Sequence, residues 1–156
     1  MRRELWREGA HVQLGLLLGD AAALIAFVLL GQRAHGVADA EGALWRAGVQ
    51  VIALGLPYAL LGALLGAYPS ALPRTGMAWL ALAARAGIAA LFAVPLGLFV
   101  RAAWLGQSGV PLLFAAVALP LGTVFVGGWR LMLAVGVRLR ASRAAPLRPS
   151  ATAPRT

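Results

Sequence analysis

Three ionisable residues interrupt stretches of sequence that are otherwise apolar: Asp20, Arg85 and Arg130. An aspartate carboxylate and an arginine guanidinium can form a bidentate, hydrogen-bonded ion pair. Each residue is placed a similar number of positions from one end of its stretch, at a depth of roughly 10–13 Å for helices rising about 1.5 Å per residue. This matched depth predicts an ion pair of Asp20 with Arg130, with Arg85 as the competing partner. The alternative for both Arg residues is that their long side chains extend to nearby lipid headgroups. Gly127, on the same helical stripe as Arg130, is expected to leave room for the neighbouring helix.

A second polar group is predicted where two of the apolar stretches end. Arg33 and His35 follow the first stretch, and Arg101 and Gln107 follow the third. In an antiparallel bundle these ends share a face, so the four side chains are expected to converge there. They could bind a small anion or a lipid headgroup, with His35 as a titratable member. The alternative is an ordinary solvated rim.

Other kinds of chemistry have no residues to support them in this sequence. It contains no Cys, which excludes disulfides, Cys-ligated zinc and thiol catalysis, and its two His residues, His11 and His35, cannot alone form a metal site. No G-x-S-x-G, H-E-x-x-H or phosphate-loop pattern is present. The sequence therefore predicts no catalytic residues, no metal and no cofactor.

The elements that must position these residues are membrane-spanning helices. Only 12% of the residues are charged and 61% are hydrophobic, whereas a soluble domain is about a quarter charged. Four apolar stretches are long enough to cross a hydrocarbon core about 30 Å thick; they cover residues 12–31, 47–67, 77–100 and 110–137. The predicted fold is an all-α integral membrane four-helix bundle formed by residues 1–137, followed by a basic, Pro/Ala-rich disordered tail over residues 138–156.

The distribution of arginine predicts the orientation of this bundle. Nine Arg residues fall in the two terminal segments and the second loop, and three fall in the first and third loops. The positive-inside rule then places both termini in the cytoplasm. Trp6, Trp79 and Trp129 are expected at the inner interface and Trp45 and Trp104 at the outer one, as two aromatic belts.

The net charge of +9 has a membrane interpretation as well. Because the Arg residues stand at the ends of apolar stretches, they indicate contact with headgroups and not with nucleic acid. Arg138, Arg140 and Arg143 are expected to attract anionic headgroups at the cytoplasmic face.

Glycines recur at helix-packing spacing in the first two stretches. Gly15 and Gly19 are four residues apart; Gly48, Gly55 and Gly62 are seven apart, and Gly66 follows at four. Such stripes allow helix backbones to approach closely. They are interpreted as packing positions within the bundle, with a homodimer face as the alternative.

Several of these residues together resemble a known family. Asp20, Phe27, Gly31, Arg33 and His35 give an acidic residue, an aromatic and then glycine-x-arginine-x-histidine; further matches are Trp79, Arg101, Gly106-Gln107 and Gly128-Trp129-Arg130. This set resembles the bacterial and archaeal membrane family called domain of unknown function 3054, over about residues 15–131. Ala34 stands where the family pattern has serine. The resemblance implies the four-helix architecture, a multi-pass protein of the prokaryotic plasma (inner) membrane, and the importance of Asp20, Arg33, His35, Arg101, Gln107 and Arg130.

Three classes of function are compatible with this sequence. The preferred one is a non-enzymatic accessory or scaffold protein that acts on a membrane partner or a lipid. The alternative is a small transport or conduction unit, oligomeric because four short helices leave little room for a solute route. An enzyme has the least support. A transporter should have a continuous polar track between Asp20 and His35, whereas an accessory protein should have a dry core and an exposed apolar or glycine-lined face.

Overall fold

The computed structural model describes residues 2–144, and the side chains of residues 9–143 apart from 141. This part of the chain forms four α-helices: α1 (Arg2–Ala34), α2 (Ala43–Leu64), α3 (Gly76–Trp104) and α4 (Leu112–Ala144). Each of the four is long and apolar enough to cross a membrane. The prediction of an all-α protein with four apolar spans is therefore confirmed.

Two helix boundaries differ from the predicted spans by more than four residues. α1 begins at Arg2, well before the apolar stretch, and α4 continues to Ala144. The prediction of disorder from residue 138 was therefore wrong for residues 138–144, which are helical. Leu, Arg and Ala favour helix, and no helix breaker occurs before Pro146. The rest of the predicted tail, residues 145–156, lies outside the described residues.

The helices pack in a closed ring in which each contacts two neighbours, in the order α1, α2, α3, α4 and back to α1. α3 makes the most extensive contacts, with α2 and α4. The start of α1, the end of α4 and the α2–α3 loop (residues 65–75) lie together at what we call the termini end. The two other loops, residues 35–42 and 105–111, form the opposite end, called the loop end.

Three of the four helices finish with the same backbone motif. Gly36, Gly66 and Gly106 adopt positive φ angles of 66°, 69° and 65° after α1, α2 and α3. Around each, two backbone hydrogen bonds of the Schellman type turn the chain back on the helix, for example Ala67 N to Gly62 O at 2.8 Å and Gln107 N to Ala102 O at 2.8 Å. Gly66 therefore serves as a helix cap, and its assignment to the packing stripe was wrong.

Gly97 allows α3 to approach the backbone of α2 closely. A Cβ at this position would lie 2.6 Å from the carbonyl oxygen of Ala53 on α2. That carbonyl is the one that Pro57, four residues later, leaves without a helical N–H donor. Glycine at 97 thus brings α3 against a proline-modified turn of α2, where a Cα–H···O contact can compensate in part.

The tryptophans do not all belong to aromatic belts. Trp45 and Trp104 are 64% and 51% exposed near the loop end, as a belt requires. Trp79 is 4% exposed and packs with Leu82 and Ala134 in the core. Its assignment to the inner belt was wrong.

Candidate functional site

The centre of the termini end is a buried carboxylate–guanidinium pair between α1 and α4. Arg130 Nε donates to Asp20 Oδ1 at 2.8 Å, and Arg130 Nη2 donates to Asp20 Oδ2 at 2.6 Å. The two residues are 1% and 0% exposed. This side-on, two-point geometry is the strongest arrangement available to Arg and a carboxylate, and it orders both side chains. The structure thus pairs Asp20 of α1 with Arg130 of α4.

Neighbouring groups satisfy the remaining hydrogen-bonding capacity of the pair. Tyr58 Oη donates to Asp20 Oδ2 at 3.0 Å, and Trp129 Nε1 donates to Asp20 Oδ1 at 2.9 Å. Arg130 Nη1 donates to the carbonyl of Ala67 at 3.1 Å. The carboxylate therefore accepts four hydrogen bonds, from α2 and from three donors on α4. Such complete pairing is what allows two opposite charges to remain inside an apolar bundle.

Tyr68 covers the guanidinium from the α2–α3 loop. The Arg130 Cζ atom lies 5.3 Å from the centroid of its ring, within the range of a cation–π interaction. Burial raises the pKa of the Tyr68 phenol, and the nearby Asp20 carboxylate raises it further. The phenol is therefore neutral at physiological pH. Its Oη is buried and has no hydrogen-bond partner among the described residues.

Two glycines provide the space that this centre needs. A Cβ at Gly19 would overlap the six-membered ring of the Trp129 indole, so only glycine there lets Trp129 lie against α1 and reach Asp20. A Cβ at Gly62 would come within 2.9 Å of the Tyr68 ring. These two members of the predicted stripe therefore pack inside the bundle. By contrast, a Cβ at Gly15 or Gly48 would meet nothing within 4 Å.

The α2–α3 loop is held over the pair by the Schellman motif at Gly66 and by α1. The motif turns the chain so that the Ala67 carbonyl faces Arg130. Gln13 Nε2 on α1 donates to the carbonyl of Tyr68 at 3.1 Å. The loop, α1, α2 and α4 consequently meet at a single ion pair.

Two expectations about this centre were wrong. Arg85, expected to compete for Asp20, is exposed and donates to the Gly66 carbonyl at 3.3 Å. Gly127 was expected to make room beside Arg130, but a Cβ there would meet nothing within 4 Å. The room comes from Gly19 on the opposite helix. The reason is that the Trp129 side chain lies against Gly19 of α1, whereas nothing lies near a Cβ at Gly127.

The predicted outer polar group lies at the loop end. Arg101 Nη1 donates to Gln107 Oε1 at 3.3 Å, and the Arg101 Cζ atom lies 6.0 Å from the centroid of the Phe114 ring. The His35 ring packs on the same Phe114 at a centroid distance of 6.3 Å. Arg101 and His35 thus both pack on Phe114, and Gln107 joins them through its hydrogen bond with Arg101. Arg33 is exposed near the end of α1, and the structure records no side-chain hydrogen bond for it.

Sequence reasoning missed four contributors to the buried centre: Tyr58, Tyr68, Trp129 and the carbonyl of Ala67. Tyr58 could have been found, since a phenol in the middle of an apolar stretch needs a partner. Trp129 was visible as the neighbour of Arg130, but its position suggested a belt. The two contributors from the loop depend on how the Gly66 turn folds back, and the sequence carries no separate signal for that.

Four apolar helices around this centre define a multi-pass membrane protein. Residues 17–133 match the model of the family described as "Protein of unknown function (DUF3054)", and because this is most of the chain, the protein belongs to that family. No curated protein and no solved structure matches the chain. Among the described residues, no three His, Cys, Asp or Glu side chains are grouped so as to hold a metal ion.

Proposed function

We propose that this protein is a non-enzymatic accessory or scaffold protein that acts on a membrane partner or on lipid. It resides in the plasma (inner) membrane of a prokaryote with both termini in the cytoplasm. Its anionic-lipid contacts at that face come from Arg138, Arg140 and Arg143, and its partner is a membrane protein or a second copy of the chain. The buried ion pair is structural in this proposal: it holds α1 against the rest of the bundle.

The observation that carries the proposal is the apolar packing of the core between the two polar groups. Between Asp20 and the loop end, the bundle interior is filled by apolar side chains from all four helices: Leu24, Phe27, Val28, Leu54, Val94, Leu98 and Ala118. A solute or ion crossing the bundle would have to pass this apolar layer, in which Gln50 is the buried polar side chain among the described residues, at a high cost. Asp20 and Arg130, meanwhile, already satisfy each other.

A second candidate is a small oligomeric transporter or conduction unit, and one residue favours it. Gln50 on α2 is 9% exposed and lies between the two polar groups along the helix axis. Gly48, Gly127 and Gly128 also leave open surface on α2 and α4 where another subunit could approach. In this alternative the polar route would form between subunits.

The two candidates are separated by a flux measurement on purified protein in liposomes, using a pH-sensitive dye for protons. An accessory protein should give the same leak as empty liposomes, and Tyr58→Phe, which removes one hydrogen bond to Asp20, should leave that leak unchanged. Co-purification in mild detergent should then recover a bound lipid or membrane protein. A protein-dependent flux that Tyr58→Phe reduces would contradict the accessory role and support the second candidate.

The orientation is a prediction of its own. A reporter enzyme that is active only outside the cytoplasm should stay silent when fused after Thr156, because nine Arg residues lie on the side of the termini. The same reporter inserted in the α1–α2 loop, after Asp39, should be active and serves as the control. Activity at Thr156 with silence at Asp39 would invert the proposed topology.

A further inference from the structure

The Arg101 guanidinium at the loop end has no acidic partner among the described side chains. Arg101 lies in the last turn of α3, with His35 beside it across Phe114. Asp39 and Glu41 lie in the same end of the molecule, but both are exposed and neither forms an ion pair with Arg101. Among the described side chains, the ion pair formed is that of Asp20 with Arg130.

The hydrogen bonding of Arg101 is also incomplete. Its Nη1 donates to Gln107, whereas its Nε is buried and has no acceptor among the described residues. An unpaired buried donor is destabilising, and more so when the group is charged. The residue as a whole is only half-buried.

Arg130, the fully buried arginine of the same protein, shows which ligands satisfy a guanidinium group. Arg130 uses Nη1 for an uncharged oxygen, that of Ala67, and presents its Nε–Nη2 edge to the two oxygens of Asp20. Arg101 likewise uses Nη1 for an uncharged oxygen, that of Gln107. Its Nε–Nη2 edge forms no hydrogen bond with the described residues, and a two-oxygen anion is the ligand that pairs with such an edge.

A backbone turn fixes the position of Gln107. The Schellman motif at Gly106, with φ 65°, returns the chain so that Gln107 N bonds to Ala102 O at 2.8 Å. This turn holds the Gln107 amide against Arg101 and orients the guanidinium. Phe114 supports the same guanidinium from α4. The guanidinium of Arg101, called the fork because of its two-pronged donor edge, is thus held by residues of α3, the loop that follows it and α4.

We propose that Arg101, oriented by Gln107 and Phe114 and with His35 packed on the same Phe114 ring, forms a binding site for a phosphate group at the loop end of the bundle. Arg101 is in the last turn of an apolar span and Trp104 follows it, exposed, at the level where headgroup phosphates lie. A phospholipid headgroup and free inorganic phosphate present the same oxyanion to this fork. The site is defined by geometry alone and does not depend on the accessory role.

The test uses the full-length protein and two probes. In maltoside micelles, which contain no phosphate, binding of inorganic phosphate is measured by titration calorimetry. In nanodiscs of equimolar phosphatidylcholine and phosphatidylglycerol, retention of phosphatidylglycerol is measured after detergent extraction. Binding in the first arm identifies free phosphate as the ligand, and binding in the second arm alone identifies a lipid headgroup.

Three variants decide whether Arg101 is responsible. Arg101→Gln should weaken binding by about tenfold or more, and Arg101→Lys, which keeps the charge but loses the fork, should weaken it too. Arg46→Gln removes the same charge at the same end and should change binding by less than about twofold, as expected for a rim charge. Circular dichroism and melting temperature establish that each variant is folded. No binding by the wild type in either arm, equal losses for Arg101→Gln and Arg46→Gln, or full binding by Arg101→Lys would each overturn the proposal.

Discussion

Replacing Asp20 by Asn is expected to lower the free energy of unfolding by about 3–5 kcal/mol, and Arg130→Gln by a similar amount. Each change leaves the other member of the pair buried and without its countercharge, in side chains that are 1% and 0% exposed. The Asp20 carboxylate accepts four hydrogen bonds. The amide of Asn accepts fewer, and its NH2 group would face these donors without an acceptor of its own. The measurement is unfolding of the purified protein in detergent micelles, followed by circular dichroism.

The double variant gives the sharper result. Because the two substitutions remove one shared interaction, the combined loss should be smaller than the sum of the single losses by about 0.5–3 kcal/mol. Arg85→Gln is the matched control, since Arg85 is exposed and bonds to Gly66 O. It should change stability by about 0.5 kcal/mol or less and show no coupling to Asp20. Strict additivity of Asp20 and Arg130 would mean that the pair does not form in the membrane-protein fold.

Gly19→Ala is expected to cost about 2–4 kcal/mol, a large effect for one methyl group. The added Cβ would overlap the Trp129 indole, so the ring must leave its position between α1 and α4. The displacement removes the hydrogen bond from Trp129 Nε1 to Asp20 Oδ1, which stands at 2.9 Å. The loss is measured as above, together with a red shift of tryptophan fluorescence as the indole moves.

Two comparisons show whether the indole is the cause. Gly15→Ala, one turn earlier on α1, should be neutral or stabilising by about 0.5–1 kcal/mol, because nothing lies within 4 Å of its Cβ and alanine favours helix. In a Trp129→Ala background, Gly19→Ala should lose most of its effect, since the clashing ring is gone. Equal destabilisation by Gly15→Ala and Gly19→Ala would point to the helix or a homodimer face as the origin.

Much of the site chemistry was predictable because charge in an apolar stretch has few possible explanations. Asp20 is too short to reach the headgroups, so it requires an internal partner, and its depth matches that of Arg130. Depth alone could not decide whether Arg130 or Arg85 pairs with Asp20. That choice depends on helix rotation: α4 turns Arg130 inward to 0% exposure, and α3 leaves Arg85 on the outside. Rotation is set by the packing of whole helices, which four similar apolar segments do not encode locally.

The glycines make the same point about close contacts. Their spacing indicated that helix backbones approach each other, and at Gly19 and Gly62 side chains of the bundle do fill the space. Spacing could not show that Gly15 faces open surface, or that Gly66 ends α2 with a φ of 69°. A glycine is permissive for either use, and only its neighbours in space decide which applies.

The sequence by itself determined the class of the protein, the number of apolar spans and the identity of the charged residues, because the cost of exposing charge or backbone polar groups to hydrocarbon leaves one kind of solution. Tertiary structure alone decided which side chains complete the buried pair. Tyr58, Tyr68, Trp129 and the Ala67 carbonyl come from α2, the α2–α3 loop and α4, and they meet at Asp20 and Arg130. Their convergence depends on two helix contacts, α1 with α2 and α1 with α4, and on one glycine turn at once, and no local pattern in the chain specifies such a combination.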